Sequence, residues 1–383
     1  MNKRKIINDP VYGFTTIPDE FIFDLIQHPW FQRLRRIRQL GLTDYVYPGA
    51  THSRFQHALG ALHLMTLAIE SLRAKGVEIS DSEAQGAEIA ILLHDIGHSP
   101  FSHALEKKFI PWSHEKVSLA FMNKLNTEFD GKLLEAIKIF SNKHPKKFLH
   151  QLVSGQLDVD RMDYLNRDSF YSGVAEGVIG YERIIKMLHV YDHRLVVEEK
   201  GIYSIEKFLI SRRIMYWQVY LHKTVLSAEK MLIHWFDELC TSDHLAQIFP
   251  KLKDLQSISG NEVEQRLINF AEIDDTDIFF ALKQCKQSQN SKIRILSEGL
   301  LNRNLFKCQL SLKPFDNQYI NKLKKGLHHP NLIFKGKETN EGYNVDIDEI
   351  MILSKENKIT PLSKYSTLNN ISALESKYYL VYL

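Results

Sequence analysis

The chain has 383 residues, 44% of them apolar and 25% charged, with 49 basic against 46 acidic side chains and a formal net charge of +3. That much apolar material excludes a mostly disordered chain, and the near balance of charge excludes a polycation that coats nucleic acid, so any anion site must be local. The three cysteines, Cys240, Cys285 and Cys308, are odd in number and far apart, which argues against a disulfide framework and a thiolate zinc site.

In chain order, the basic segment Met1 to Pro10 is followed by no apolar stretch of signal-peptide length, and no run approaches the roughly 20 residues of a membrane span; a soluble, cytoplasmic chain is expected. Residues 54 to 75 place Phe55, Leu59, Leu62, Thr66 and Ile69 at helical spacing. Ser80-Asp-Ser-Glu83 has the form of a capping box, and the helix it opens carries Ala84, Ala87, Ile91 and His94 along one face. Residues 194 to 204 read as two short strands about the Lys200-Gly201 turn, with a long helix from around Ile205. The polar stretch 284 to 292 reads as a loop between helices. Beyond Asn331, Leu332-Ile-Phe-Lys, Gly342-Tyr-Asn-Val-Asp, Ile350-Met-Ile-Leu-Ser and Tyr378-Tyr-Leu-Val-Tyr-Leu are β-like runs. The expected fold is mainly α, with a short β-hairpin insertion and a small α+β C-terminal region. It divides as a core over 1–190, a helical region over 191–330 that completes a pocket and carries an oligomer interface, and an appendage over 331–383.

Seven of the 17 histidines lie between His52 and His114. The sharpest run is His94-Asp95-Ile-Gly-His98-Ser-Pro-Phe-Ser-His103, where Gly97 and Pro100 can break the helix so that adjacent imidazole and carboxylate converge. Burying so many titratable groups without a partner would be costly, which points to a metal. His57, in the first amphipathic helix, and Asp160, in Leu157-Asp-Val-Asp-Arg-Met-Asp-Tyr164, have a helical setting suited to further ligands. At 100° per residue, Asp160, Arg161, Tyr164, Arg167 and Asp168 share an arc of about 120°. Arg212, Tyr216, Tyr220 and Lys223 share about 80° on a later helix.

The order His57, His94-Asp95, Asp160 resembles the signature of the HD-superfamily metal-dependent phosphohydrolases. The blocks Phe31-Gln-Arg-Leu-Arg35, Gln39-Leu-Gly41, Tyr47 to His57, Trp112-Ser-His114-Glu, Asp158 to Tyr164 and Tyr220-Leu-His-Lys223 extend the likeness, in order over residues 10 to 235, to the deoxynucleoside triphosphate triphosphohydrolase branch. The resemblance implies an HD-type helical core and one divalent ion, among Mn, Fe, Ni, Zn and Mg, on His57, His94, Asp95 and Asp160.

It further implies that His98, His103 and His114 line the phosphates, with His114 as general acid and Glu106 as its orienting carboxylate. Arg54, Arg161 and Arg212 match polyphosphate contacts; Tyr164 and Asp168 match groups around the deoxyribose; Gln39 and Leu40 match positions near the 3′-hydroxyl and base; Tyr220 matches a tyrosine that crowds the 2′ position. The implied reaction is attack of metal-activated water on the α-phosphorus of a deoxynucleoside triphosphate, releasing deoxynucleoside and triphosphate, by a homo-oligomer (dimer or tetramer). Alternatives are an HD phosphohydrolase acting on a nucleoside monophosphate, a signalling nucleotide or single-stranded nucleic acid, and a catalytically silent nucleotide-binding regulator. In the branch's guanine activator site Gln32 and Arg35 match, whereas Gln27 stands where an acid belongs, which argues against guanine-nucleotide activation.

Overall fold

Most of the chain is helical, in a computed structural model that describes residues 5–257, 263–339, 343, 349–365 and 376–383. The helix Asp81–Leu93 starts where the capping box predicts: Ser80 Oγ accepts from the Glu83 amide and the Glu83 carboxylate accepts from the Ser80 amide. Asp158 caps Val159–Ser172 by accepting from the Arg161 amide, and Gly173 ends that helix in the left-handed region. The helix Arg54–Ala74 packs against both and buries residues on most of its circumference, including Leu62, Met65 and Ile69. Each such side chain contributes roughly 1.5–3 kcal/mol by burial. His57 projects from the first turns of this helix and inherits its fixed position.

Two β features depart from expectation. The strands Ile6–Asp9 and Gly13–Thr16 form an N-terminal hairpin that no pattern announced, with Asp9 Oδ1 accepting from the Val11 and Tyr12 amides at its turn. The later hairpin pairs Leu188–Tyr191 with Arg194–Glu198 about Asp192-His193, not about Lys200-Gly201. Asp192 and His193 take φ values of 47° and 59°, as a two-residue type I′ turn requires, whereas Lys200 and Gly201 lie in a short 3-10 turn leading into Ile202–Met215.

Arg194–Glu198 pairs in parallel with Met351–Leu353, which pairs in turn with Ile359–Pro361. Ser376–Tyr382 lies between Lys307–Ser311 and Ile333–Thr339. Both sheets therefore join strands from either side of residue 330. The expected strand Gly342 to Asp346 lies, Tyr343 apart, outside the described residues.

The long helix expected from around Ile205 is two. Ile202–Met215 runs into a π turn at Tyr216–Tyr220, and a new helix, Lys223–Cys240, begins behind a His222 cap. Phe208, Met215, Met231 and Trp235 of these helices are buried in the core of their own chain. An aromatic stripe at helical spacing is consumed here by intramolecular packing. Residues 286–290 connect Asp275–Cys285 to Ser291–Leu301, as the polar composition predicted. Among the described residues no helix is long and apolar enough to cross a membrane.

Candidate functional site

Three helix ends meet at one point. His57 comes from the start of Arg54–Ala74, His94 from the C-cap of Asp81–Leu93, and Asp160 from the first turn of Val159–Ser172. Asp160 Oδ1 lies 3.0 Å from His57 Nε2 and 3.5 Å from His94 Nε2, and the two Nε2 atoms are 3.4 Å apart. Asp95 closes the group, with Oδ1 3.3 Å from His94 Nε2 and Oδ2 3.6 Å from His57 Nε2. The structure thus brings His57, the adjacent pair His94 and Asp95, and Asp160 together from three places in the sequence.

The atoms behind these donors fix how they face. His57 Nδ1 is 2.7 Å from Asp163 Oδ2, and His94 Nδ1 donates to the Ile91 carbonyl at 2.6 Å, so each imidazole turns its Nε2 inward. Asp163 accepts from Arg167 Nε and Nη2, both at 2.9 Å, and Arg167 Nη1 pairs with Asp9 of the N-terminal hairpin. A Cβ on Gly60 would collide with Asp163 and Arg167, so the bare backbone of the facing helix is what admits this pair. Arg167 was read as a cation on the Asp160 face; it is wholly buried and committed to two carboxylates. Asp163, Arg167 and Asp9 were missed as supports. The four-residue spacing of Asp163 and Arg167 was the available signal, but it resembles any exposed ion pair.

The electrostatics of this cluster fit a cation. Burial works against charge on His57, but Asp160 and Asp163 outweigh it and raise its pKa to about 10. His94 is raised by Asp95 and Asp160 against the same opposition. Asp160, despite burial, is held well below the usual carboxylate range by the two imidazoles. A donor set of two imidazoles and two carboxylates that draws in protons this strongly is suited to a divalent metal, which would displace them.

The second histidine group lies next to the first. His98 Nδ1 is 3.2 Å from Asp95 Oδ1, while its buried Nε2 has no partner. His114 Nδ1 sits 2.9 Å from Glu106 Oε1, and His103 Nδ1 sits 3.1 Å from Glu106 Oε2. The His98 ring is 4.0 Å from His114 and 5.1 Å from His103. Hydrogen bonds from His103 and His114 hold the Glu106 carboxyl far below its ordinary value, whereas burial and Arg54 keep the His98 pKa low. Gly97 serves close approach here, since a Cβ would strike Ser118 and the His114 carbonyl. Phe101 and Ser102 carry the left-handed strain at this turn, with φ values of 54° and 56°. Arg33 Nη1 holds the His98 carbonyl at 2.9 Å, and Asp275 Oδ1 accepts from the Phe101 amide at 2.7 Å.

A cavity of about 460 Å³ opens beside these groups, within the range of small-molecule sites. Its wall includes Gln39, Leu40, Arg54, His103, Tyr164, Asp168 and Tyr220. Arg54 binds Asp95 through Nη1 and Ser102 Oγ through Nε at 2.7 Å. Asp168 accepts from Tyr220 at 2.8 Å and lies 2.7 Å from His52 Nε2, giving His52 a place that the sequence left unassigned. Arg161 and Arg212 are not in this wall: Arg161 pairs with Asp158 and Arg212 donates to Gln156. Gln32 and Arg35 are engaged inside the chain, Gln32 with the Ile26 carbonyl and Arg35 with Gln32 and the Phe55 ring.

A helical scaffold on which two histidines and two aspartates converge, flanked by further histidines and a cavity that Arg54 lines, fits a metal-dependent hydrolase of phosphorylated substrates. The HD domain model matches residues 54–168, and the HD associated region model matches residues 179–360. The chain is 33% identical over 320 residues to the uncharacterized protein YwfO of Bacillus subtilis (strain 168), covering 80% of this chain and 72% of that one. It is 32% identical over 326 residues to the deoxynucleoside triphosphate triphosphohydrolase SAMHD1 homolog of Dictyostelium discoideum, covering 79% of this chain and 59% of that one. A crystal structure of a phosphohydrolase from Bacteroides thetaiotaomicron VPI-5482 superposes over 100% of both chains, with a TM-score of 0.92 and 46% identity. The chain belongs to the HD-domain phosphohydrolase family.

Proposed function

We propose that the protein hydrolyses deoxynucleoside triphosphates to deoxynucleoside and inorganic triphosphate. Arg54 carries this reading. Its guanidinium braces Asp95 of the donor set, yet it also lines the cavity that Tyr164, Asp168 and Tyr220 share. A substrate with a polyphosphate beside Arg54 and a sugar against the two tyrosines and the aspartate fits that arrangement. The Dictyostelium relative's name supports the choice of substrate.

When bound by His57, His94, Asp95 and Asp160, a divalent ion would polarise a phosphoryl oxygen and lower the pKa of water. The chain supplies the rest. Arg54 offsets the negative charge of the polyphosphate with a planar, permanently charged fork, and Arg161 and Arg212 turn from Asp158 and Gln156 to add to it. Water adds to the α-phosphorus as the bond from phosphorus to the 5′ oxygen breaks; His114, oriented by Glu106, gives that oxygen its proton, and His98 and His103 face the phosphates. Tyr220, tied to Asp168, crowds the 2′ position and favours deoxyribose. The working form is a homo-oligomer, a dimer or tetramer.

The test is product analysis with each deoxynucleoside triphosphate and Mn²⁺, after metal loading has been verified. Deoxynucleoside and triphosphate are expected. Monophosphate with diphosphate, or no nucleoside from a loaded protein, overturns the reading. Asp160→Ala should abolish both metal content and turnover without unfolding the helical body.

A further inference from the structure

Three carboxyl groups line the cavity, and two are already engaged. Asp168 is held by His52 and Tyr220, and Glu338 pairs with Lys230 at 2.7 Å. Glu229, one residue before Lys230 on the Lys223–Cys240 helix, has no hydrogen bond or ion pair among the described residues. Lys230 makes no ion pair with it: its ammonium is drawn to Glu338 and lies 4.9 Å from the centre of the Tyr379 ring. Burial pushes the Glu229 carboxyl up to about 7, with Lys230 opposing and Glu338 adding to the rise.

A half-buried carboxyl that faces a cavity without a protein partner is free to accept hydrogen from a ligand. Its surroundings narrow the kind of ligand. Glu229 Oε1 lies 4.0 Å from where a side chain on Gly41 would begin, so it sits against the Gln39-Leu40-Gly41 segment. Gln39 Oε1, in the same cavity wall, is buried without a partner. Leu40, Phe101 and Ile233 make the neighbouring wall apolar. Unmet acceptors beside flat apolar surface suit a heteroaromatic ring that bears N–H groups on its edge.

We propose that Glu229 is a specificity-determining residue that accepts hydrogen from the amino-bearing edge of a nucleobase, so that guanine, adenine and cytosine are bound ahead of thymine. The idea rests on the nucleotide reading above. To the ionised carboxylate, guanine presents two adjacent N–H donors, and adenine and cytosine each present an exocyclic amino N–H that one carboxylate oxygen accepts. Thymine presents one N–H between two carbonyl oxygens, and those oxygens meet an acceptor with repulsion.

The experiment is equilibrium binding of the four deoxynucleosides to the metal-loaded protein, alongside turnover of the four triphosphates. Thymidine should bind about tenfold more weakly than the other three. Glu229→Gln, which can also donate to a carbonyl, should bring thymidine to within about twofold of the rest, and Glu229→Ala should weaken the amino-bearing nucleosides about tenfold while leaving thymidine unchanged. Equal base ratios in the wild type and both folded variants overturn the inference, as does failure of any deoxynucleoside to bind. A Glu229-dependent preference without triphosphate release leaves the inference standing and removes the proposed reaction. Triphosphate release with Glu229-independent ratios does the reverse.

Discussion

Asp163→Asn isolates what the groups behind the metal donors contribute. The substitution keeps the size of the side chain and one oxygen for His57 Nδ1, now 2.7 Å from a carboxylate, but removes the charge shared with Arg167 at 2.9 Å. Outer supports of this kind are worth about 10- to 100-fold in metal affinity, or about 1.4–2.7 kcal/mol. A separate loss of stability should accompany it, because Arg167 is left buried with Asp9 alone; breaking a buried pair outright costs about 3–5 kcal/mol, and the retained amide should hold the loss near the lower end. Gly60→Ala reaches the same pair from the facing helix, since its Cβ would displace both side chains, and should weaken metal binding in the same direction. The assay is metal titration of the chelator-stripped protein against a competing indicator, with circular dichroism to confirm that each variant is folded. A folded Asp163→Asn variant with affinity within about twofold of wild type would refute the reasoning.

Burial of Glu88, opposed by its bond from Thr66, raises its carboxyl to about 7. The unfolded chain therefore ionises first, so stability is lost as pH rises from about 4.5 to about 7 and is level above that; the gap amounts to about 3 kcal/mol. Glu88→Gln should remove this loss, matching wild type near pH 4 and exceeding it at pH 8 in urea unfolding, and parallel profiles would contradict the assignment. His52→Phe keeps the stack on Tyr171 but releases Asp168, so KM for a deoxynucleoside triphosphate should rise about tenfold with metal content unchanged. An unchanged KM would make His52 a packing residue only. Solution mass measured with and without nucleotide should give a dimer or tetramer, and a monomer under both conditions would remove the oligomer.

The parts of the site that were legible in the sequence are those whose backbone setting is local. Ser80 and Glu83 announce a helix start, and thirteen residues later the same helix delivers His94 to its C-terminal cap. Asp158 announces another start, and Asp160 follows in its first turn. The supports were not legible, because periodicity gives the arc a residue occupies and not what lies opposite. Arg167 and Asp160 share an arc, yet Arg167 meets Asp9 from a hairpin about 160 residues away in sequence, and only the fold brings that carboxylate there. The misplaced hairpin has a similar cause. Lys200-Gly201 carried the turn residue with conformational freedom, whereas Asp192 and His193 adopt the left-handed region without being glycine. Spacing put Arg161 and Arg212 on the faces of Asp160 and Tyr220 and the resemblance gave them the polyphosphate, but each is held by a neighbour, Asp158 and Gln156.

The most direct test of the proposed reaction is hydrolysis of a deoxynucleoside triphosphate by the metal-loaded protein in ¹⁸O-enriched water, with products separated and weighed by mass spectrometry. Attack at the α-phosphorus with release of the 5′ oxygen predicts one heavy oxygen in triphosphate and none in the deoxynucleoside. Label in the deoxynucleoside, or release of diphosphate or orthophosphate in place of triphosphate, would contradict it.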